Sequence, residues 1–331
     1  MSQETSPYHD LIRARLRDVL TDAHYDQLPG FGRGKVRDHY DLGDGRILMI
    51  ATDRQSAFDQ ILASVPFKGQ VLTGTARFWF EATKDVVANH VIAYPDPNVM
   101  VVRKMDMVPV EVVVRDYLTG STSTSVWTMY EKGERKLYGV DFPDGMKKNE
   151  KLPVTLLTPT TKGAIGAHDL PITGEEIVST GLMTKAKWQE LAQTALALFA
   201  RGREIAAKRG LILVDTKYEF GYDENGKLTL ADEIHTPDSS RYWIAGSYEE
   251  LFRAGEAQRE LDKEPFRRWL MERGFSGDGE APAIPDPVRA LTALRYVQAY
   301  ERIVGEEFAP MSADFQAETE VLARIVDERL R

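Results

Sequence analysis

The chain has no cysteine among its 331 residues, which excludes disulfides, thiolate nucleophiles and zinc sites built on sulfur ligands. No stretch of about 18 consecutive apolar residues occurs either, so we expect no transmembrane helix. The opening residues lack the basic and apolar regions that make up a secretory signal. These absences lead us to expect a cytoplasmic protein without membrane association.

Positive charge is also scarce. Lysine and arginine total 42 against 51 aspartates and glutamates, for a formal net charge of -9. A protein that binds nucleic acid more often carries a basic stripe, so we expect no nucleic-acid partner. If the substrates are small anions, positive charge must be gathered locally. An apolar content of 43% over this length is enough for roughly two domains.

Strands occur first as hairpins, and the helices do not alternate strictly with them. This pattern favours an α+β fold over a doubly wound sheet. The strongest helix pattern begins after a predicted N-cap at Thr184 and ends at Gly210. We predict a small β-rich N-terminal domain over residues 1–107 and a larger α+β domain over residues 108–331, with a helical extension from about residue 262.

A glycine-rich loop runs from Gly30 to Val36 and precedes a strand. It does not fit the Walker A pattern, because Val36 follows the lysine, nor the dinucleotide-binding pattern, because Lys35 stands where a glycine is needed. Its backbone N–H groups, together with Lys35 and Arg37 on one side of the following strand, would suit a triphosphate. An ordinary flexible turn is the alternative.

Two further polar segments follow apolar strands. Thr52–Asp59 comes directly after one strand, where binding sites often lie, although a capped turn explains it equally well. Arg115 lies on an apolar strand that continues into the hydroxyl-rich run Thr119–Ser125. Because a buried guanidinium needs a partner, this arrangement predicts either a phosphate site or a structural ion pair with Glu111 beside a helix N-cap.

The segment Asp215–Arg241 is predicted to form a hairpin around Asn225-Gly226. If those two residues make the turn, Glu219 lies directly opposite Asp232, and like charges at that spacing destabilise a sheet unless a cation compensates. Mg²⁺, which takes one or two carboxylates plus substrate phosphates, is the natural candidate. Asp215, Lys217 and Glu219 alternate by two along the strand, so all three would project from the same face as Asp232. A polar face of an edge ribbon, exposed to solvent, is the alternative.

The loop after this hairpin contains His235 and Arg241. Arg241 is a candidate ligand for a second anion. A lone histidine such as His235 is more often a hydrogen-bonding loop residue than a catalytic base. The chemistry of this loop is therefore expected to come from its arginine.

Six segments, taken in order along the chain, resemble motifs of the SAICAR synthetase family. The resemblance runs from about residue 30 to 275, and the chain length is similar to that of the longer form of the family. The segments are GKVRD (34–38), TDRQSAFD (52–59), RDYLTGS (115–121), TPTTK (158–162), DTKYEFG (215–221) and DEIHTPDSSRYW (232–243).

The resemblance implies an ATP-dependent ligase of purine biosynthesis that joins L-aspartate to the carboxylate of carboxyaminoimidazole ribonucleotide, with Mg²⁺ as a cofactor. It implies a fold in which a small N-terminal β domain precedes a larger, ATP-grasp-like domain. Small-molecule substrates are the expected partners of a monomer or small homo-oligomer.

By motif position, the resemblance also implies roles for individual residues. The implied ATP-binding residues are Gly32, Gly34, Lys35, Arg37, Met107 and Glu111, and the implied magnesium ligands are Glu219 and Asp232. The implied substrate-binding residues are Arg115, Ser121, Lys217, Asp238 and Arg241. The implied catalytic residues are Lys35, Lys217 and Arg241. For the aspartate substrate, only Lys162 and His168 are suggested.

Two other functions are compatible with a glycine loop and an acidic strand. A kinase-like phosphotransferase uses similar parts, but the chain lacks an H-R-D-L-x-x-x-N catalytic loop and an A-P-E segment. A protein that binds ATP without turnover needs neither segment. The sequence by itself leaves this second alternative open.

Overall fold

The computed structural model describes residues 6–26, 28–122, 125–162 and 170–311. The helices and strands in chain order are α1 (His9–Arg15), β1 (Phe31–Arg33), β2 (Arg37–Asp41), β3 (Arg46–Ala51), β4 (Arg54–Ala57), β5 (Gln60–Ser64), α2 (Lys68–Ala82), β6 (Val91–Asp96), β7 (Val99–Arg103), β8 (Asp106–Met107), β9 (Val110–Tyr117), α3 (Val126–Glu131), β10 (Lys136–Leu137), β11 (Val140–Asp141), β12 (Lys151–Thr161), α4 (Gly174–Ser179), α5 (Lys185–Lys208), β13 (Leu211–Tyr222), β14 (Leu228–Ala231), β15 (Ser240–Ile244), α6 (Ala245–Ala254), α7 (Glu264–Met271) and α8 (Asp286–Val304). Helices occur together with antiparallel sheets, which confirms the coarse prediction of a mixed α and β fold. Among the described helices, none has the length and apolar character needed to cross a membrane.

The described residues divide into two compact units, each assembled from separate stretches of the chain. The first unit contains the described parts of 1–78, 91–104 and 262–331, and the second contains those of 79–90 and 105–261. The sequence predicts contiguous domains instead, at 1–107 and 108–331. One crossing between the units, at residues 104–105, lies close to that predicted boundary, but the C-terminal helices group with the first unit.

The first unit contains a five-stranded antiparallel sheet in the order β1-β2-β3-β7-β6. Alternate residues of its strands, such as Tyr40, Leu48 and Ile50, are buried in one cluster with Leu20 and Val99. This period of two is typical of a sheet with one covered face. The turn between β1 and β2 carries the glycine loop.

Helix α8 belongs to the first unit because its apolar side chains are buried against α1 and α2. Ala293, Tyr296 and Val297 share one core cluster with Ile12 of α1 and Val71 of α2. Burial of apolar surface stabilises by about 25 cal/mol per Å². The helical extension is therefore stabilised by packing of its apolar face on α1 and α2, which are distant from it in sequence.

The second unit is organised around the long strand β13. On one side β13 pairs with β9, which in turn pairs with β12, and on the other side β15 pairs with its first half and β14 with its second half. Helix α5 buries Leu198 and Gly202 and contacts this sheet. Its N-cap is Thr184, and Gly210, with a φ of +68°, follows its C-cap, so both predicted ends of this helix are confirmed.

Candidate active site

Strand β13 presents charged side chains on one side of its sheet and aromatic side chains on the other. Asp215, Lys217 and Glu219 alternate with Tyr218 and Phe220, which are both fully buried. The pairing of β13 with β15 shifts in register just before Asp215. Such a bulge re-aims the side chains that follow it, and bulges are common beside active sites. The predicted alternation of the three charged residues is therefore present.

Two lysines and two glutamates form a connected cluster on the charged side. The Lys217 ammonium group lies 2.6 Å from Glu219 Oε1 and 3.0 Å from Glu111 Oε1. The Lys162 ammonium group lies 2.5 Å from Glu219 Oε2. All four side chains come from strands, or from the residue directly after one, of the same sheet. A rigid sheet therefore holds the charges in fixed relative positions.

Electrostatic interactions keep Lys217 and Glu219 ionised. Burial by itself lowers the pKa of Lys217, but the carboxylates of Glu219, Glu111 and Asp232 outweigh burial and raise that pKa above its usual range. Burial acts to raise the pKa of Glu219, yet the ammonium groups of Lys217 and Lys162 hold it well below its usual range. Near neutral pH the cluster can therefore neutralise and orient a substrate, and it is unsuited to exchanging protons.

Asp215 binds two arginines from the strands on either side of it. Arg115 on β9 and Arg241 on β15 are each its direct cross-strand partner. Asp215 Oδ2 accepts a hydrogen bond from Nη1 of both, and the one from Arg115 measures 3.0 Å. Two guanidinium groups on one carboxylate leave a net positive charge, which suits a phosphate. The alternative in which Arg115 pairs with Glu111 is wrong, because Asp215 is its partner.

The loop after β9 brings a glycine close to Arg241 and contains a buried hydroxyl group. Gly120 has a φ of +115°, and a Cβ atom on it would lie 3.6 Å from Arg241 Nη2. The Ser121 hydroxyl oxygen is buried and makes no hydrogen bond to another described residue. A buried hydroxyl of this kind normally binds a water molecule or a ligand. Further along, Ser125 caps α3, so a hydroxyl residue of this run caps the helix as predicted, but the helix begins at Val126 and not at residue 124.

The hairpin of β13 and β14 has a different register from the predicted one. Glu219 pairs with Ala231, and not with Asp232, because three residues separate Asp223 from Lys227 where the prediction had a two-residue turn. Asp223 N donates to Lys227 O at 3.1 Å, and a glycine with a φ of +71° precedes Lys227. This is a turn followed by a left-handed residue. The predicted direct opposition of the two acids is wrong.

Asp232 lies just after the end of β14, where its φ of +62° turns the chain out of the strand. Its charge still contributes to raising the pKa of Lys217, so it acts on the same cluster as Glu219. Across the described ranges, no three His, Asp or Glu side chains form a metal site by themselves. Mg²⁺ needs only one or two carboxylates when phosphates supply its other ligands. The two acids fit that requirement, although both Glu219 oxygens contact ammonium groups.

His235 is a structural residue on the aromatic side of the sheet. Its ring lies against Trp79 with centroids 4.6 Å apart, and its Nε2 is 2.5 Å from the Tyr218 hydroxyl. A Cβ atom on Gly202 of α5 would lie 2.3 Å from His235 Cε1, so glycine permits this close packing. Burial lowers the pKa of His235 to about 3. His235 is therefore a neutral, buried residue of the aromatic side and is not part of the charged cluster.

The glycine loop forms a tight turn in the first unit. Gly34 N donates to Arg37 O at 2.8 Å, which brings Lys35 to the tip of the turn. The Lys35 ammonium group forms an ion pair with Asp59. Both side chains are more than half exposed, at 57% and 56%, so water screens this pair and a stronger anion can replace Asp59.

Thr52–Asp59 is a strand and a hairpin turn, and not the predicted loop. Residues Arg54–Ala57 form β4 and pair with β5, so that only two residues separate β3 from β4. Phe58 and Asp59 have φ values of +50° and +63°. Two consecutive left-handed residues are the geometry of a tight hairpin turn. The polar residues of this segment are therefore fixed by strand pairing.

The remaining predicted residues have varied surroundings. Met107 is 40% exposed and lies on β8, which pairs with β13. Asp238 is partly exposed in the loop before β15. A Cβ atom on Gly32 would lie 2.2 Å from the His39 ring, so glycine allows β1 and β2 to approach. His168 lies outside the described residues.

Sequence reasoning did not include Asp215 among the functional residues, and it suggested Lys162 without a physical reason. The alternation along β13 placed Asp215 on the charged side, but it did not show which cations Asp215 contacts. Those contacts depend on the register between β13 and strands distant in sequence, which a single chain does not reveal. The structure supplies both the arginine pair and the contact between Lys162 and Glu219.

Comparison with known proteins places this geometry in a family. The family model described as SAICAR synthetase matches residues 30–283. The phosphoribosylaminoimidazole-succinocarboxamide synthase of Legionella pneumophila (strain Lens) is 52% identical over 277 residues, covering 83% of this chain and 88% of that protein. The solved SAICAR synthase from Saccharomyces cerevisiae, complexed with SAICAR, is similar with a TM-score of 0.75 at 31% identity, covering 88% of this chain and 100% of that one. A type-2 SAICAR synthetase in complex with ADP has a TM-score of 0.64 at 26% identity, covering 85% of this chain and 100% of that one.

The matched residues include the glycine loop, the strand that carries Arg115 and the whole of β13. The similarity therefore extends over the charged cluster and the arginine pair as well as over the fold. The chain belongs to the SAICAR synthetase family.

Proposed function

We propose that this chain joins L-aspartate to the carboxylate of carboxyaminoimidazole ribonucleotide at the expense of ATP, as a phosphoribosylaminoimidazole-succinocarboxamide synthase of purine biosynthesis. This is the reaction of the family to which it belongs. The observation that carries the proposal is the row of charged groups along β13, which runs from the arginine pair at Asp215 to the lysines at Glu219. Such a row provides separate binding places for a phosphate and for a reacting carboxylate.

We assign the phosphate of the imidazole nucleotide to Arg115 and Arg241, with the Ser121 hydroxyl as a further donor. The net positive charge around Asp215 and the unused hydrogen-bonding capacity of Ser121 support this assignment. Asp238 belongs to the same proposed site. Because a strand rises about 3.4 Å per residue, Lys217 lies roughly 7 Å further along β13. The reacting carboxylate is accordingly assigned to the Lys217 end of the row.

We assign the ATP phosphates to the glycine loop, through Gly32, Gly34, Lys35 and Arg37, and the adenosine part to Met107 and Glu111. A tight turn with an exposed lysine suits a polyphosphate. The solved relative in complex with ADP supports the use of a nucleotide. An ATP-grasp-like catalytic domain over residues 108–331 and a nucleotide-binding lid over residues 1–107 belong to this proposal.

Glu219 and Asp232 are the residues that would hold Mg²⁺. Their support is chemical, because both are carboxylates that act on one lysine and the pKa of Glu219 is held low enough for it to stay ionised. The ion would neutralise negative charge on the phosphoryl group that is transferred. Lys217 contributes a permanent positive charge at the same place.

The chemistry requires activation of a carboxylate, because oxide would otherwise have to leave when the amine attacks. Transfer of the γ-phosphoryl group to the carboxylate forms an acyl phosphate, and the amine of aspartate then displaces phosphate. Lys217, Lys35 and Arg241 are the proposed catalytic residues, and their role is to position the reactants and neutralise charge. Proton exchange with Lys217 is not part of the mechanism, since its pKa is raised.

An assay of ADP release tests the proposal. We expect ADP and SAICAR to form only when L-aspartate, the imidazole nucleotide, ATP and Mg²⁺ are all present, with SAICAR identified by mass spectrometry. ADP release that does not depend on aspartate would indicate a phosphotransferase. Binding of ATP without any product at saturating substrates would indicate a nucleotide-binding protein without turnover.

A further inference from the structure

Arg54 lies beneath the glycine loop of the first unit, and its side chain is only 6% exposed. Its Nε donates to Lys35 O at 3.1 Å, and its Nη2 donates to Gly34 O at 3.0 Å and to Asp38 Oδ1 at 2.7 Å. Its Nη1 donates to Thr21 O at 2.8 Å and to Asp38 Oδ2 at 3.1 Å. An arginine has five N–H donors, so the whole hydrogen-bonding capacity of this side chain is used.

The next carbonyl of the loop is also held from the inside. Val36 O accepts hydrogen bonds from Thr52 N at 2.9 Å and from Thr52 Oγ1 at 2.8 Å. Three consecutive carbonyl oxygens, those of residues 34–36, therefore point towards residues 52–54. The described peptide bonds are all trans, and in a trans peptide the N–H of the next residue points away from the carbonyl. The N–H groups of Lys35 and Val36 are thus directed away from Arg54.

Successive N–H groups at a turn form a concave site that attracts anions. The exposed ammonium group of Lys35 belongs to the same turn and adds a full positive charge. If the carbonyls of Gly34 and Lys35 rotated outwards, they would present partial negative charge to an anion instead. The orientation of these two peptide groups therefore decides whether the turn attracts or repels a phosphate.

We propose that Arg54 is a positioning residue for nucleotide binding, because it fixes the glycine loop in the orientation that presents the Lys35 and Val36 N–H groups to phosphates. This inference rests on the proposed function, in which the glycine loop binds ATP. Arg54 acts through the loop and does not itself contact the nucleotide. Lysine cannot replace it, since a single ammonium group lacks the planar fork that reaches two carbonyls and a carboxylate together.

Arg289 provides a matched control within the first unit. Its Nε donates to Ser64 O at 2.8 Å, its Nη2 to Leu16 O at 2.7 Å and its Nη1 to Asp286 Oδ1 at 2.8 Å. Arg54 binds three backbone carbonyls and one aspartate, and Arg289 binds two backbone carbonyls, one aspartate and the Ser64 hydroxyl. The carbonyls bound by Arg289 belong to Ser64 of β5, which is the cross-strand partner of Arg54, and to Leu16 at the end of α1, and neither is part of the glycine loop. Loss of either guanidinium removes a similar set of bonds.

The test compares Arg54→Lys, Arg289→Lys and the unaltered chain by steady-state kinetics, by calorimetric titration with MgADP and by thermal unfolding. For Arg54→Lys we expect the KM for ATP and the Kd for MgADP to rise at least roughly tenfold, the effect of losing one or two hydrogen bonds to a charged group. The KM for L-aspartate should stay within about twofold, because the loop does not serve that substrate. Arg289→Lys should lower the unfolding temperature without raising either nucleotide constant.

An unchanged KM for ATP and Kd for MgADP in folded Arg54→Lys would overturn the inference, and so would an equal rise of both in Arg289→Lys. If Arg54→Lys does not fold, Asp38→Asn takes its place, because it keeps the five donors but weakens the carboxylate that orients them. A rise of roughly threefold in the Kd for MgADP is then expected, and no rise would overturn the inference. If the unaltered chain binds MgADP but makes no SAICAR, the proposed reaction fails while the ADP affinities still decide the role of Arg54.

Discussion

The two sides of β13 differ in almost every physical property, although their residues alternate along one strand. On one side, Asp215 and Lys217 form ion pairs with side chains from neighbouring strands, and Glu219 pairs with Lys217 and with Lys162. On the other side, Tyr218 and Phe220 are fully buried in an aromatic layer. Burial of the aromatic side chains fixes the position of the strand, and the ion pairs on the opposite side fix the orientation of the charged side chains. A binding site on such a support keeps its geometry without loop motion.

The contrast is sharpest for two basic groups, Lys217, whose side chain is 31% exposed, and the fully buried His235. Burial alone lowers the pKa of any basic group, because it disfavours the charged form. His235 has no carboxylate to oppose this effect, and its pKa falls to about 3. Lys217 has three carboxylates that act on it, and its pKa rises above its usual range. The difference shows that the presence of counter-charges, more than the depth of burial, separates a neutral structural base from a permanent cation.

The largest expected effect comes from breaking the charged side at Glu219. We expect Glu219→Gln to lower the rate of SAICAR formation by at least roughly a thousandfold, or about 4 kcal/mol, because it removes a proposed metal ligand and the counter-charge of two lysines. Because two lysines lose this counter-charge, the free energy of unfolding should also fall, by roughly 3 kcal/mol, so the rate is measured at a temperature at which the variant is folded. The control is Glu249→Gln on α6, whose side chain is 68% exposed and which should leave the rate unchanged. Full activity in both Glu219→Gln and Asp232→Asn would refute the metal assignment.

A second change, Asp215→Asn, leaves two neighbouring arginines without their shared counter-charge. Removing one partner of a buried ion pair typically costs about 3 kcal/mol, so the free energy of unfolding should fall by roughly that amount in urea titrations. Added inorganic phosphate should raise the unfolding temperature of Asp215→Asn more than that of the unaltered chain, since an anion can take the place of the carboxylate. Equal stability of the two proteins would contradict the proposed balance of charge at this position.

On the aromatic side, Gly202→Ala tests how closely α5 packs on the sheet. A Cβ atom there would lie 2.3 Å from His235 Cε1 and 2.8 Å from Leu213 Cδ2. We expect the free energy of unfolding to fall by about 1–2 kcal/mol, because overpacking outweighs the gain of roughly 1 kcal/mol that alanine brings to a helix. Gly246→Ala in α6 is the matched control, since no atom lies within 4 Å of its added Cβ, and it should be neutral or stabilising. The same loss of stability in both variants would contradict tight packing at Gly202.

Near neutral pH the smallest expected effect on stability comes from His235, and it grows only as the pH falls. Between its ordinary pKa of 6.5 and its folded value of about 3, the unfolded chain binds a proton that the folded chain does not, so stability falls as the pH falls through this window. The slope is about 1.4 kcal/mol per pH unit. Asp53, whose pKa burial raises to about 6, acts in the opposite direction. The free energy of unfolding is measured against pH for the unaltered chain and for His235→Asn, and the contribution of Asp53 cancels because both proteins contain it. Parallel curves would show that His235 is not the source of the pH dependence.

The parts of the fold that depend on neighbours in sequence were predictable. The N-cap Thr184, the stop at Gly210 and a hydroxyl N-cap before α3 each depend on local backbone geometry, and all three are observed. The hairpin register was not predictable, because one additional turn residue displaces every cross-strand partner. Arg54 was taken for part of a loop, since strand pairing between β4 and β5 leaves little trace in a short polar segment.

The sequence by itself determined the family, the alternation of Asp215, Lys217 and Glu219, and the positions of the glycine loop and of the two arginines. The order of the motifs and the alternation of residue types along a strand can be read from the sequence without knowing which residues are in contact in the fold. Only the tertiary structure decided which charges meet: that Asp215 binds both Arg115 and Arg241, that Lys162 reaches Glu219, and that Arg54 lies beneath the glycine loop. These contacts join residues far apart in sequence, and their energies depend on burial and distance, which arise only when the strands pair.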